Sequence, residues 1–189
     1  MKIKEIPTPF YIVYEDRVRA NLELITDVAR RADVKIIMAF KANALWRTFD
    51  IFKEYDVACT ASSLNELRLG LEFLTDKIYS YSPAYTDSTI GEYLAGSTHI
   101  TFNTVSQWNR FAEKVKEYNL TSGRYVSPGL RVNPRCSVIT TDLYNPALPG
   151  SRFGASAEEL ADGLPEGIEG LHFHALCDSS SHDLAKVLA

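Results

Sequence analysis

The stretch Lys35-Ile36-Ile37-Met38-Ala39-Phe40-Lys41-Ala42-Asn43 sets an unbroken apolar run against a cation at its far end. Five apolar residues in a row are far too few to span a membrane, and they read as a strand covered on both faces, as in a parallel sheet. Runs of the same kind recur at Asp56–Ser63, Lys77–Pro83, Thr98–Asn103, Gly129–Pro134 and Ile168–Ala175. Helical periodicity fills the intervals: Val18, Leu22, Ile25 and Val28–Ala29 form one apolar stripe, and Trp108, Phe111, Ala112 and Val115 form another. Ser63-x-x-Glu66, Thr104-x-x-Gln107 and Ser156-x-x-Glu159 are capping-box patterns that mark helix starts. Strands alternating with helices in this way predict repeated βαβ units.

Two parallel architectures share that rhythm, an open doubly wound sheet and a (β/α)8 barrel. No Gly-x-Gly-x-x-Gly turn follows the first strand, which removes the main support for a dinucleotide-binding sheet. Polar chemistry instead collects at the strands' C-terminal ends: Lys41, Ser62–Ser63, Tyr81–Ser82, Asn103, Arg131 and His174. That end is where barrel enzymes build their sites. If Lys41 points inward, Ala39 and Ile37 do too, and Met38 and Phe40 face the helices. By the same alternation Arg131 shares a face with Gly129 and Asn133, and His174 with His172 and Gly170. The fold predicted is a TIM-type α/β barrel. Six strands are counted where eight close such a barrel, and the chain stops in an amphipathic segment, His182–Ala189. The expectation is therefore an incomplete barrel, the N-terminal part of a longer enzyme. Pro134 to Gly154, with Pro146, Pro149 and Gly150, reads as a functional loop.

Composition narrows the rest. The 189 residues carry a net charge of −4 and are 46% hydrophobic, ordinary for a soluble globular chain. No basic stripe gives a reason to expect nucleic acid, and no run is long enough to expect insertion in a membrane. Met1–Pro7 lacks the apolar core of a secretory signal, so a cytoplasmic site is the default expectation. Cys59, Cys136 and Cys177 are odd in number and widely spaced, as reduced thiols are.

Lys41, at the end of the most apolar strand, would be desolvated there, lowering its pKa and freeing the amine for Schiff-base chemistry. A strand-end lysine reaching into water is the plainer alternative. Gly170-Leu-His-Phe-His-Ala-Leu-Cys-Asp178 places His172 and His174 on one face, with Cys177 and Asp178 just beyond. Three readings compete: a metal site, which lacks a nearby third His or second Cys; ordinary packing; and an aromatic shelf for a flat cofactor, its pocket lined by Cys177 and Asp178. Arg131 in a barrel mouth needs an anionic or oxygen-rich partner, whether an internal carboxylate or a ligand. Arg152, in Gly-Ser-Arg-Phe-Gly, is a ligand contact or a loop anchor. For Ser63 and Glu66 a capping box suffices, and Ser62 beside them is a candidate cofactor contact at the mouth.

Taken together, six stretches carry a resemblance: Thr-Pro-Phe-Tyr-Ile-Val-Tyr14, Met-Ala-Phe-Lys-Ala-Asn43, Ala-Ser-Ser-Leu-Asn-Glu-Leu-Arg-Leu-Gly70, Leu-Arg-Val-Asn-Pro134, Tyr-Asn-Pro-Ala-Leu-Pro-Gly-Ser-Arg-Phe-Gly154 and Gly-Leu-His-Phe-His-Ala-Leu-Cys-Asp178. In that order they resemble the pyridoxal-phosphate decarboxylases with an alanine-racemase-like barrel, and most closely the carboxynorspermidine (carboxyspermidine) decarboxylases. The resemblance implies an ornithine-decarboxylase-type barrel over residues 15–189, with residues 1–14 joining a C-terminal β-domain. It implies pyridoxal 5'-phosphate as cofactor, Lys41 as its Schiff-base lysine, His174 stacked on its ring, and Arg131 near its phenolic oxygen or a carboxylate. Arg152 and Ser62 follow as further cofactor contacts, and Cys177 and Asp178 as pocket residues. Asp178 departs from the commoner Glu, which shortens that carboxylate, and Ala147 stands where many relatives have Cys.

The implied reaction is decarboxylation of carboxynorspermidine or carboxyspermidine in polyamine biosynthesis, by a cytoplasmic homodimer. The resemblance assigns the ring-nitrogen carboxylate, the Gly-rich phosphate segment and a Cys contributed across the dimer to sequence beyond β-strand six, so these 189 residues alone are expected to be inactive. The alternatives are a diaminopimelate, ornithine or arginine decarboxylase of the same fold, a non-catalytic cofactor-binding barrel, and a metal-dependent barrel hydrolase using His172 and His174.

Overall fold

A computed structural model describes residues 5–189. Six strands form one sheet: β1 (Met38–Ala39), β2 (Cys59–Ala61), β3 (Ile78–Tyr81), β4 (His99–Phe102), β5 (Ser127–Arg131) and β6 (Gly170–His172). Five fall inside the runs expected from sequence, and β5 overlaps its run, Gly129–Pro134, but begins two residues earlier at Ser127. All five pairings are parallel and follow chain order, β1 to β6. Chain order separates the two candidate architectures. A doubly wound sheet reverses direction at a switch point, whereas a barrel adds each new strand on the same side. The sheet is thus an arc of the expected barrel, and β1 and β6 do not pair with each other.

Helices α1 (Glu15–Ala32), α2 (Phe49–Lys53), α3 (Leu64–Phe73), α4 (Ile90–Gly96) and α5 (Val105–Thr121) occupy the crossovers and the start, and α6 (Ser181–Leu188) follows β6. The caps form largely as the sequence indicates. Ser63 and Thr104 side chains accept from the backbone N–H groups of Glu66 and Gln107. The return arms reach one residue further back, Glu66 to the N–H of Ser62 and Gln107 to that of Asn103. Ser156 and Glu159 close a reciprocal box, but the turn it opens is only a short 3-10 helix, Glu158–Leu160. No α-helix lies between β5 and β6, and the Pro134–Gly154 segment is irregular as expected.

Burial alternates along the strands. Cys59, Ala61, Ile78, Ser80, Ile100, Phe102 and Leu130 are buried against the helices, packed with Phe40, Phe49, Leu67, Ile90, Phe111 and Val115. Thr60, Tyr79, Tyr81, His99, Thr101 and Gly129 point to the concave face and are half-buried. The sequence reading expects both faces to be covered. The arc is open, so its inner face is covered less completely than its outer one. For the same reason the α1 stripe is buried only at Leu22, while Ile25 and Val28 remain exposed. The inward and outward sets at β1 are as expected: Phe40 is in the core, and Ile37, Ala39 and Lys41 line the concave cavity. The strand itself is shorter than Lys35–Lys41, because only one of its edges has a partner.

The described part of the N-terminal segment forms no strand, and Tyr11, Ile12, Val13 and Tyr14 are exposed; residues 1–4 of the expected 1–14 unit lie outside the described residues. No helix among the described residues is long and apolar enough to cross a membrane.

The sheet–helix interface carries the stability of this fold. Ile100→Ala should cost about 2–5 kcal/mol in urea unfolding, whereas Leu143→Ala, at a residue 84% exposed, should stay within about 0.5 kcal/mol of the parent.

Candidate active site

Two cavities meet at the C-terminal rim of the sheet. The inner one, about 460 Å³, runs along the concave face and is lined by Lys41, Ser62, Tyr81, His172 and His174 among others. The outer one, about 680 Å³, lies under the Leu143–Phe153 stretch of the long loop and shares Lys41, Ser62, Tyr81 and His174 with the first. Arg131 and Arg152 line the outer cavity. The topology thus brings five expected site residues from β1, β2, β5, β6 and the loop to one place. No Asp or Glu lines either cavity.

Arg131 is the most informative of them. It is 5% exposed and makes no ion pair with a carboxylate among the described residues. Its Nη1 donates to the Tyr81 hydroxyl at 2.5 Å, and its guanidinium lies over the rings of Tyr81 and Phe153, 5.0 and 4.8 Å from their centroids. Of the two partners the sequence allows, the internal salt bridge is therefore absent. A guanidinium stays charged, and one held by a phenol and two aromatic faces at a cavity wall retains capacity for an anionic or oxygen-rich ligand.

The Tyr81 hydroxyl donates onward to Asn103 Oδ1 at 2.9 Å. Asn103 in turn holds the loop, accepting from the Gly154 N–H at 3.1 Å and donating to the Arg152 carbonyl at 2.9 Å. The loop then rejoins the sheet where Val132 bridges Ala155. Gly154 sits at φ +86°, and a Cβ there would lie 2.7 Å from the Val132 carbonyl carbon, so only glycine fits. The loop-anchor role expected of Arg152 is thus carried by its backbone, and its side chain is exposed at the mouth.

Burial, and the cations Arg131 and Lys41, hold both imidazoles below the usual histidine range, His172 down to about 4. Both are neutral at pH 7. They do not form a common shelf: their centroids are 6.5 Å apart with planes tilted by 52°, and His172 meets the Tyr81 ring edge-on. No group of three His, Cys, Asp or Glu residues that could hold a metal occurs among the described residues.

Three expectations need correction. Lys41 is exposed, not desolvated: it sits in the turn after an edge strand, where nothing covers one side. Cys177 and Asp178 do not line either cavity. Asp178 takes a left-handed backbone conformation, and the Ser179 hydroxyl closes a tight turn on Cys177, carrying the chain away toward α6. Sequence reasoning placed Tyr81 and Asn103 at the rim but gave no sign that they link Arg131 to the loop, since 22 and 28 residues separate the successive pairs Tyr81/Asn103 and Asn103/Arg131.

The fold is that of the alanine-racemase-like barrel, incomplete at six strands. The structure superposes on diaminopimelate decarboxylase from Helicobacter pylori with a TM-score of 0.73 at 16% identity, covering 91% of this chain and 45% of that one. Carboxynorspermidine decarboxylase from Campylobacter jejuni, solved in complex with norspermidine, matches with a TM-score of 0.82 at 35% identity, covering 97% of this chain and 45% of that one. No family model matches the chain. In sequence the chain is a homologue of the carboxynorspermidine/carboxyspermidine decarboxylases: it is 37% identical to the Campylobacter jejuni enzyme over 188 residues, which is 100% of this chain and 47% of that protein. It is also 34% identical over 187 residues to the carboxyaminopropylagmatine decarboxylase of Synechocystis, covering 99% of this chain and 47% of that protein. The chain spans about half the length of the curated relatives it matches.

The neutral His172 makes a checkable pH signature. Its folded-state pKa, about 4, lies below the usual value near 6.5. The unfolded chain therefore binds the proton more readily, and stability present above about pH 6.5 should drain away as pH falls toward 4. NMR titration should show the His172 ring uncharged until about pH 4, and His172→Gln should flatten the acid limb of the stability profile.

Proposed function

We propose that this chain supplies the cofactor-holding half of a pyridoxal-phosphate decarboxylase that acts on carboxynorspermidine or carboxyspermidine. The observation that carries the reading is the buried Arg131, without a carboxylate partner among the described residues, on the same rim as Lys41 and His174. The residues fit the group. The inner cavity, about 460 Å³, falls within the roughly 300–1,000 Å³ usual for small-molecule sites, and its cationic, carboxylate-free lining suits an anionic cofactor. Lys41 would hold it through its amine, with His174, Arg131, Ser62 and Arg152 around it. When bound, pyridoxal phosphate supplies a conjugated ring that accepts the electron pair left by loss of CO2.

The chain's own residues set the conditions for that chemistry. His174 is neutral at pH 7 and so offers an uncharged aromatic face. Arg131, fixed between two rings and a hydroxyl, presents positive charge without needing to reorganise. The Leu143–Phe153 stretch lines the outer cavity at the mouth. Exposed Lys41 stays accessible to an incoming aldehyde, and cofactor and substrate complete its enclosure.

Contacts for the phosphate, the ring nitrogen and the cationic polyamine tail are assigned to the remaining length that the relatives have, as is the β-domain that residues 1–14 would join. The functional assembly in this reading is a cytoplasmic homodimer, and these residues by themselves do not turn over. Diaminopimelate, ornithine and arginine are the competing substrates within the same fold.

An enzyme of the relatives' length carrying this chain, supplied with pyridoxal phosphate, should release CO2 from carboxynorspermidine or carboxyspermidine in preference to those three amino acids. Lys41→Ala should lower turnover by about 10³-fold or more. Undiminished activity in Lys41→Ala, or a preference for diaminopimelate, would overturn the assignment.

A further inference from the structure

Asn103 is 5% exposed, and its side chain meets the Tyr81 hydroxyl as well as the Arg152 carbonyl and the Gly154 N–H of the loop. The identity of each atom follows from its partner. A backbone N–H can only donate, so the atom meeting Gly154 N is the amide oxygen; a carbonyl can only accept, so the atom meeting the Arg152 oxygen is the NH2 group. The same oxygen accepts from the Tyr81 hydroxyl, which fixes the direction of that hydroxyl and turns its lone pairs toward Arg131. The Asn103 backbone N–H is itself pinned by the Gln107 side chain at the start of α5, so the amide hangs from a helix cap.

We propose that Asn103 is a positioning residue that ties the loop at the mouth to the Tyr81–Arg131 pair, so that the loop and the guanidinium are set by one amide. This deepens the functional reading above, in which Arg131 faces the cofactor. Asn103 touches neither ligand nor reacting atoms and acts through two separable arms. The NH2 arm holds the loop at the Arg152 carbonyl, and the oxygen arm orients Tyr81, and through it Arg131, while also accepting from the Gly154 N–H.

The two arms give distinct readouts on the chain without cofactor. Trypsin cleavage after Arg152 reports the loop, and phenylglyoxal modification of Arg131, followed by peptide mass mapping, reports the guanidinium. Asn103→Ala should speed both by about 10-fold, the scale of one lost net hydrogen bond. Asn103→Asp keeps the oxygen acceptor and loses the donor, so it should speed cleavage after Arg152 while leaving Arg131 protected. Tyr81→Phe should do the reverse. Circular dichroism confirms that each variant is folded, and the two opposed variants keep the test decisive should Asn103→Ala fail to fold. Readouts that rise together in all three variants, or in none, overturn the proposal. Affinity for pyridoxal phosphate, measured alongside, should weaken in Tyr81→Phe; a parent chain that does not bind it at all would count against the functional reading and leave the positioning result standing.

Discussion

Parallel pairing in chain order is the constraint from which the site follows. Each strand runs from the same end of the sheet to the other, so the residue that ends one strand is delivered beside the residue that ends the next. Lys41, Ser62, Tyr81, Asn103, Arg131 and His174 span 134 positions of sequence (174 less 41, inclusive), and they meet because five successive crossovers each return the chain to the starting edge. The apolar bodies of the strands pay for this convergence by packing Ile78, Ile100, Phe102 and Leu130 under the helices. The polar ends then need no stability of their own.

The cost falls on Arg131. A charged group removed from water must recover its solvation from the protein, and here it does so without a carboxylate, from a phenol oxygen and two ring faces. A salt bridge would have neutralised it. The arrangement leaves net positive charge at the wall of a cavity whose other cations are Lys41 and Arg152, and burial, reinforced by Arg131 and Lys41, keeps the two imidazoles neutral. Charge, hydrogen-bond direction and loop position are therefore coupled through Tyr81 and Asn103 rather than set independently.

Much of this was legible in the residues. The six apolar runs located the strands, the alternation at Lys41 told which side chains face inward, and the caps at Ser63 and Thr104 placed two helices. Period-two and capping signals are local, so local sequence contains them. What escaped depends on distance or on coverage. The Tyr81–Asn103–loop connection joins residues from β3, β4 and the far side of β5, with no spacing to betray it. The exposure of Lys41 and of the α1 stripe reflects the openness of the arc, which an apolar pattern cannot announce. Cys177 and Asp178 were misplaced because a left-handed residue at Asp178 redirects the chain, and a non-glycine residue gives little warning of that.

The claim on which the rest turns is that the amine at the end of β1 is the one that takes the cofactor. Incubating an enzyme of the relatives' length that carries this chain with pyridoxal phosphate, reducing with borohydride and mapping the peptides addresses it directly. A pyridoxyl group on Lys41 is the result expected, and its appearance on a different lysine, or on none, would contradict the account.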